Sequence, residues 1–184
     1  MIPIKTKYKV YVLLVAWALA GVLMIQIARS DSGRSEFARS TIDIGVVVSN
    51  VDKAVKFYTE AVGFMDAGSF DVPAQMASDT GLTDGKPFKV RMLRLGKEPT
   101  ATTLKIMEIS GAGSKPVDNQ YISSSLGMRY LTVLVSDLSK TLERLKQHGV
   151  APVKTPYKLS GGNSYLILVK DPDGNIIELI GPMP

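Results

Sequence analysis

The chain has 184 residues and a formal net charge of +5, with 22 lysine and arginine residues against 17 aspartate and glutamate residues. Three of the basic residues lie within residues 1–28, which contain no acid, so the rest of the chain has 19 basic and 17 acidic residues and is nearly neutral. That balance, without a long basic run or a basic–aromatic stripe, gives no support to nucleic-acid binding, and the absence of cysteine excludes disulfides and lipoprotein attachment.

The amino-terminal segment is predicted to be an apolar helix that interacts with a membrane through residues 10–28. Three lysines precede the 19 uncharged residues from Val10 to Ala28, and a helix of that length, at about 1.5 Å per residue, roughly matches a bilayer core of about 30 Å. The lysines predict a cytoplasmic amino terminus. Residues 1–28 are therefore either a signal anchor, which holds the rest on the outer or periplasmic side of the inner membrane, or a signal peptide cleaved after Ala18-Leu19-Ala20, which releases it.

A second feature is an internal duplication in the rest of the chain. Residues 29–40 are rich in Ser, Arg and Gly and are predicted to form a flexible linker before a folded domain at 41–184. Residues 45–56 and residues 132–143, which start 87 positions later, each consist of a β-branched run, a polar cap and an amphipathic helix. A repeat of this kind predicts two similar modules, at 41–110 and 127–182, that enclose a site between them.

The elements of the first module follow from apolar spacing and turn residues. Strands are predicted at 42–48, 64–72, 89–95 and 102–109, and a helix begins after the cap Asn50 and ends at Gly63. Residues 73–87 are interpreted as an irregular insertion.

The second module repeats this order. Its strands are predicted at 131–135, 153–159, 165–170 and 176–180, and its helix begins after the cap Asp137 and ends at Gly149. Asp171-Pro172-Asp173-Gly174 has the residues of a tight hairpin. The fold class is therefore α+β, with two paired βαβββ modules whose mixed β-sheets form a cup, preceded by the apolar helix.

This pattern resembles the vicinal oxygen chelate superfamily, which includes glyoxalase I, bleomycin resistance proteins and extradiol dioxygenases. The resemblance rests on Val48-Ser49-Asn50-Val51, Val135-Ser136-Asp137-Leu138 and, most specifically, the ending Asp-Pro-Asp-Gly-x-x-Ile-Glu-Leu at 171–179. It implies a cup that binds a small organic molecule. A fold hosts many chemistries, so the resemblance carries less weight for the reaction than for the architecture.

The resemblance also implies a set of site residues. In metal-dependent members, the first strand of each module offers a ligand, often histidine, and the last strand offers a glutamate. Carried over by position, this gives Asp43 and Glu108 from the first module and Tyr130 and Glu178 from the second. Because side chains alternate along a strand, Thr132 shares a face with Tyr130, and both are candidate substrate-binding residues.

The chemistry of that set leaves the reaction open. Neither first-strand position is histidine, and three carboxylates with a phenol suit Mg²⁺ or Mn²⁺ better than Zn²⁺ or Ni²⁺. We therefore expect a binding protein without a metal cofactor. The alternatives are a divalent-metal lyase, isomerase or dioxygenase in which Glu178 or Glu108 moves a proton, and an anchored, non-catalytic interaction module.

Arg91 and the connection between the modules give two further expectations. Arg91 receives an anionic ligand if its side of the strand at 89–95 faces the cup. The two modules pair within one chain or exchange between two chains to give a homodimer, since the connection between them is long enough for either arrangement.

Overall fold

The computed structural model describes residues 36–111 and 116–184. The predicted apolar helix and most of the predicted linker lie outside these ranges. Within them, no helix is long and apolar enough to cross a membrane. Residues Thr41–Pro184 form one compact unit.

The first module forms a four-stranded mixed sheet. Strand β1 leads into helix α1, which continues as the π-helical segment π1, and the remaining strands are separated by a short helix α2. The sheet order is β1-β4-β3-β2, with β1 and β4 parallel and the other pairs antiparallel. In chain order the elements are β1 (Asp43–Val47), α1 (Val51–Lys56), π1 (Phe57–Val62), β2 (Met65–Val72), α2 (Ala74–Asp79), β3 (Phe88–Arg94) and β4 (Thr103–Glu108).

The second module has the same topology. Its strands are β5 (Tyr130–Leu134), β6 (Tyr157–Lys158), β7 (Ser164–Lys170) and β8 (Ile176–Pro182), and its helix is α3 (Leu138–Gln147). The order β5-β8-β7-β6 repeats that of the first sheet. Two four-stranded mixed sheets with few helices confirm the predicted fold class at this level. The predicted strand at 153–159 is reduced to two residues, because Pro152 and Pro156 have no N–H group to donate to a ladder.

The predicted irregular insertion contains a helix that covers part of the first sheet. Ala77 of α2 is fully buried. It packs on the face of the sheet opposite α1, in a second apolar cluster made of Val72, Phe88 and Val90 with Met92, Met107 and Ile109 at its margin. Spacing alone gave no sign of α2, since six residues are too few for a helical repeat.

The main core joins the two modules. It collects the helix-facing side chains of both sheets, including Leu104, Ile106, Val133 and Leu179, with those of α1, π1 and α3. Arg144 of α3 ties π1 to the second module, donating from Nε to the Ala61 carbonyl at 3.0 Å and from Nη2 to the Val62 carbonyl at 2.8 Å. The opposite side of each sheet is called the open face. It carries Asp43, Gly45 and Lys105 in the first sheet and Tyr130, Thr132 and Glu178 in the second.

Both main helices begin at the predicted caps, and the two caps give a matched test. Asn50 Oδ1 accepts from Lys53 N at 2.8 Å and Asp137 Oδ1 accepts from Lys140 N at 3.0 Å. We expect Asn50→Ala to lower the free energy of unfolding by about 1 kcal/mol in urea titrations at any pH.

The charged cap should behave differently with pH. The hydrogen bond from Lys140 N, with the Lys140 charge, holds the pKa of Asp137 below its usual value. Its stabilising effect is therefore complete above the ordinary aspartate pKa of about 4 and is lost as the pH falls through the lower folded-state value. Asp137→Asn should flatten the acid side of the stability–pH curve relative to wild type, and unchanged curves would contradict this assignment.

Candidate functional site

The open face of the first sheet carries an ion pair between its edge strand β1 and the neighbouring strand β4. On β1, Asp43 and Gly45 lie opposite Thr103 and Lys105 of β4 in the parallel register. Lys105 Nζ lies 3.0 Å from Asp43 Oδ2, and the two side chains are 36% and 25% exposed. This is a half-buried pair at which a ligand can still reach the ammonium.

The open face of the second sheet carries a hydrogen-bonded carboxylate. Tyr130 and Thr132 of β5 lie opposite Ile176 and Glu178 of β8. Thr132 Oγ1 donates to Glu178 Oε1 at 2.8 Å, and Tyr130 is 47% exposed. Three of the residues singled out in the sequence thus share one accessible face.

The register identifies equivalent positions in the two modules. Val48 N donates to the Met107 carbonyl at 2.9 Å, and Val135 N donates to the Ile180 carbonyl at 2.8 Å. Met107 is therefore equivalent to Ile180, and the residue two positions earlier, Lys105, is equivalent to Glu178. The sequence pattern paired Glu178 with Glu108, which lies three residues beyond Lys105, the true equivalent.

Glu108 consequently points to the other side of its sheet, which corrects the expectation that its carboxylate faces the cup. It lies on the face of β4 that carries Leu104 and Ile106. Its Oε2 accepts from Val51 N at 3.1 Å, in the first turn of α1, where helix N–H groups need an acceptor. Alternation did not reveal this, because Met107 on the opposite side also packs against apolar neighbours under α2.

Arg91 is likewise not on the open face. It lies opposite Ile106 of the main core, and its Nη2 is paired with Asp66 Oδ2 on β2. The pKa of Asp66 is lowered, first by the hydrogen bond from Gly68 N and then by Arg91. The basic side chains of this sheet that reach the open face are Lys105 and Arg94, which the sequence analysis did not propose as site residues.

The donor set does not fit a bound divalent metal. The position equivalent to Glu178 holds the Lys105 ammonium, which has no lone pair to donate. That ammonium is already paired with the Asp43 carboxylate. The phenol of Tyr130 is a poor ligand when protonated, and Glu108 lies on the opposite side. Within residues 36–111 and 116–184, no three His, Cys, Asp or Glu side chains lie close enough together to hold a metal ion.

A cavity of about 240 Å³ opens between the two modules, where the edge strands β1 and β5 approach each other. Gly45 and Val47 line it from β1, and Met128 and Tyr130 line it from the second module, with Tyr58 behind them. Both modules therefore contribute to its lining.

The wall behind this cavity is a buried polar bridge between modules. Tyr58 Oη donates to Asp171 Oδ2 at 3.0 Å. Burial, reinforced by the charge of Asp171, holds the pKa of Tyr58 well above its usual range. The Tyr58 phenol is therefore a neutral hydrogen-bond donor, and its contribution is to position the modules.

A larger cavity of about 790 Å³ lies at the carboxyl ends of β1 and β4, beside the hairpin at 171–175. Its carboxylates already accept backbone hydrogen bonds: Glu108 from Val51 N and Asp173 from Ser49 N, each at 3.1 Å.

The model of the Glyoxalase/Bleomycin resistance protein/Dioxygenase superfamily matches residues 42–179. A putative lactoylglutathione lyase of Brassica oleracea is 27% identical over 139 residues, which is 74% of this chain and 43% of that protein. A probable lactoylglutathione lyase of Vibrio cholerae is 26% identical over 133 residues, 72% of this chain and 83% of that protein. The chain thus spans less than half the length of the plant relative.

Solved structures share the fold. A glyoxalase family protein from Bacillus cereus superposes with a TM-score of 0.64 at 18% identity, covering 83% of this chain and 99% of that one. The trypanothione-dependent glyoxalase I of Leishmania major superposes with a TM-score of 0.55 at 26% identity, covering 78% and 87% of the two chains.

Proposed function

Because the chain belongs to the Glyoxalase/Bleomycin resistance protein/Dioxygenase superfamily, we propose that its folded domain binds a small organic molecule in a cup formed by the two open faces. Binding takes place without a metal ion held by the protein's own side chains. The observation that carries this proposal is the Lys105–Asp43 ion pair at 3.0 Å, which occupies the positions equivalent to Glu178 and Tyr130.

The groups on the two faces suit polar recognition around an apolar wall. Lys105 offers N–H donors, Glu178 offers carboxylate lone pairs, and Tyr130 and Met128 provide apolar surface beside the cavity. Their roles are those of ligand-binding residues. Glu178 is the group best placed to accept a hydrogen bond or a proton from a bound molecule, because its Oε1 is held by Thr132 and it keeps further acceptor capacity.

Thermal-shift screening of chelator-treated protein tests the proposal. We expect some small organic compounds to raise the melting temperature in the presence of EDTA, since a ligand that binds only the folded state stabilises it by mass action. Glu178→Gln should reduce that shift, whereas Glu143→Gln, on the exposed side of α3, should leave it unchanged. Stabilisation that appears only after a divalent metal is added would contradict metal-independent binding.

A second candidate is lactoylglutathione lyase activity, which is favoured by the names of the curated relatives. Glu178 would then act on a proton of the substrate. An assay of this activity before and after addition of divalent metal separates the candidates: turnover abolished by Glu178→Gln supports the lyase, and binding without turnover supports the binding protein.

We also propose that residues 10–28 anchor the domain outside the cytoplasmic membrane. Trp17 is the only tryptophan of the chain, so a cleaved product would lack tryptophan fluorescence. Membrane fractionation with an emission spectrum of the purified protein distinguishes an anchored chain, which retains the indole signal, from a released one.

A further inference from the structure

We propose that Lys105 and Arg94 form an oxyanion-binding half-site and that the ligand is a small organic acid. This inference rests on the proposed binding function and specifies its ligand class. It assigns to the Lys105 ammonium the attraction for ligand oxygens that a metal ion would otherwise provide.

Lys105 is held in place and still has donors to offer. Its ammonium has three N–H groups, and among the described residues its ion-pair partner is Asp43, at 3.0 Å. The side chain is 36% exposed, so an oxyanion can approach without unfolding any element. Asp43 fixes the direction of the flexible lysine stem, which reduces the rotamer entropy that binding would otherwise cost.

Arg94 provides a second cation on the same face. It lies opposite Thr103 in the antiparallel pair of β3 and β4, and Met92 lies opposite Lys105. Lys105 and Arg94 are therefore diagonal neighbours, a spacing of about 7–8 Å that long side chains bridge. Arg94 Nε is buried and has no hydrogen-bond partner among the described residues. A buried guanidinium N–H without an acceptor is rare, and an oxyanion on this face would supply one.

Gly45 opens the path from the cavity to Lys105. The two residues are directly opposite in the β1–β4 register, and Gly45 lines the 240 Å³ cavity. The backbone does not require glycine here: φ is not positive, and a Cβ would meet only Met107 Cε, at 3.4 Å. The equivalent residue in the second module is Thr132, so the missing side chain is a specific feature of the first module.

The second module limits the charge of the ligand. Glu178, on the open face of the second sheet, would repel a second anionic group and accept a hydrogen bond from a hydroxyl or amino group. The favoured ligand therefore carries one oxyanion and one nearby donor. Tyr130 and Met128 line the cavity and offer contacts to an apolar or aromatic body of the ligand.

NMR titration with mandelate tests this assignment, with mandelamide as the uncharged counterpart and inorganic phosphate as a simple oxyanion. At constant ionic strength we expect mandelate to shift the Arg94 Nε–H and Lys105 backbone resonances and to bind at least tenfold more tightly than mandelamide. Phosphate binding as tightly as mandelate would assign the half-site to phosphate esters, and weaker phosphate binding assigns it to carboxylates. Either result supports an oxyanion site.

Four single variants and one double variant locate the effect. Lys105→Met and Gly45→Thr should each weaken mandelate binding at least tenfold, and Lys105→Arg should restore most of it. Arg91→Gln, on the same strand as Arg94 but on the opposite face, should leave it unchanged. Because Lys105→Met removes the cation beside Asp43, the double variant with Asp43→Asn removes the carboxylate charge as well and should also bind weakly. Melting temperatures identify any variant that fails to fold.

Equal binding of mandelate and mandelamide, insensitive to Lys105→Met, would overturn the oxyanion assignment and leave the proposed function intact. Failure of mandelate, mandelamide and phosphate to shift any open-face resonance would also overturn it. The proposed function is then decided separately by the wider thermal-shift screen.

Discussion

Asp171→Ala is expected to lower the free energy of unfolding by about 4 kcal/mol, a large part of the stability of a domain of this size. Asp171 is only 5% exposed. Its two oxygens accept from Tyr58 Oη at 3.0 Å, from Asp173 N at 2.9 Å, and from Asn175 N and Nδ2 at 2.8 Å each. Alanine leaves a buried hydroxyl and two backbone N–H groups without acceptors, and each unsatisfied group costs about 1–3 kcal/mol.

Urea unfolding measures this loss, and neighbouring variants separate its parts. Tyr58→Phe removes only the donor of one bond and should cost about 1 kcal/mol. Asp173→Ala removes the more exposed bond to Ser49 N and should cost less than that. An Asp171→Ala variant no less stable than Tyr58→Phe would show that Asp171 does not organise the hairpin.

Lys105→Glu is expected to raise the affinity for Mn²⁺ about tenfold, and about a hundredfold when combined with Tyr130→His. The substitution removes the ammonium that lies 3.0 Å from Asp43 and gives the first module the carboxylate that Glu178 provides in the second. Histidine at 130 then adds an imidazole, which is a better metal ligand than a phenol. The expected gain follows from ligand type and count.

Isothermal titration with Mn²⁺ provides the measurement, and two single variants provide the controls. Lys89→Glu makes the same charge change on β3, on the side of the sheet away from the open face, and should have little effect. Tyr130→His alone should also have little effect, because Lys105 keeps its positive charge beside Asp43. If Tyr130→His alone bound Mn²⁺ as tightly as the double variant, Lys105 would not be the obstacle to metal binding.

Much of the fold could be predicted from the sequence because its signals are local. The duplicated strand–cap–helix segments predicted two similar modules, and the caps Asn50 and Asp137 each accept the expected hydrogen bond. On β5, clean alternation placed Tyr130 and Thr132 on one face, because Leu131 and Val133, which alternate with them, pack in the core.

The site of the first module was harder to predict because its sheet is covered on both sides. Helix α2 packs on the open face, so β3 and β4 carry apolar residues on both sides and their alternation is ambiguous. That ambiguity left the face of Arg91 undecided, placed Glu108 on the wrong face and hid Lys105, since a shift of one residue exchanges the two faces of a strand.

The sequence by itself determined that the chain contains two copies of one module, where their helices start, and which residues of β5 share a face. These are consequences of local spacing and capping chemistry. The tertiary structure alone decided that Lys105, and not Glu108, shares the open face with Asp43 and pairs with it, because strand register is fixed by backbone hydrogen bonds between segments about 60 residues apart. Those bonds, together with the packing of α2, place an ammonium where the second module has a carboxylate.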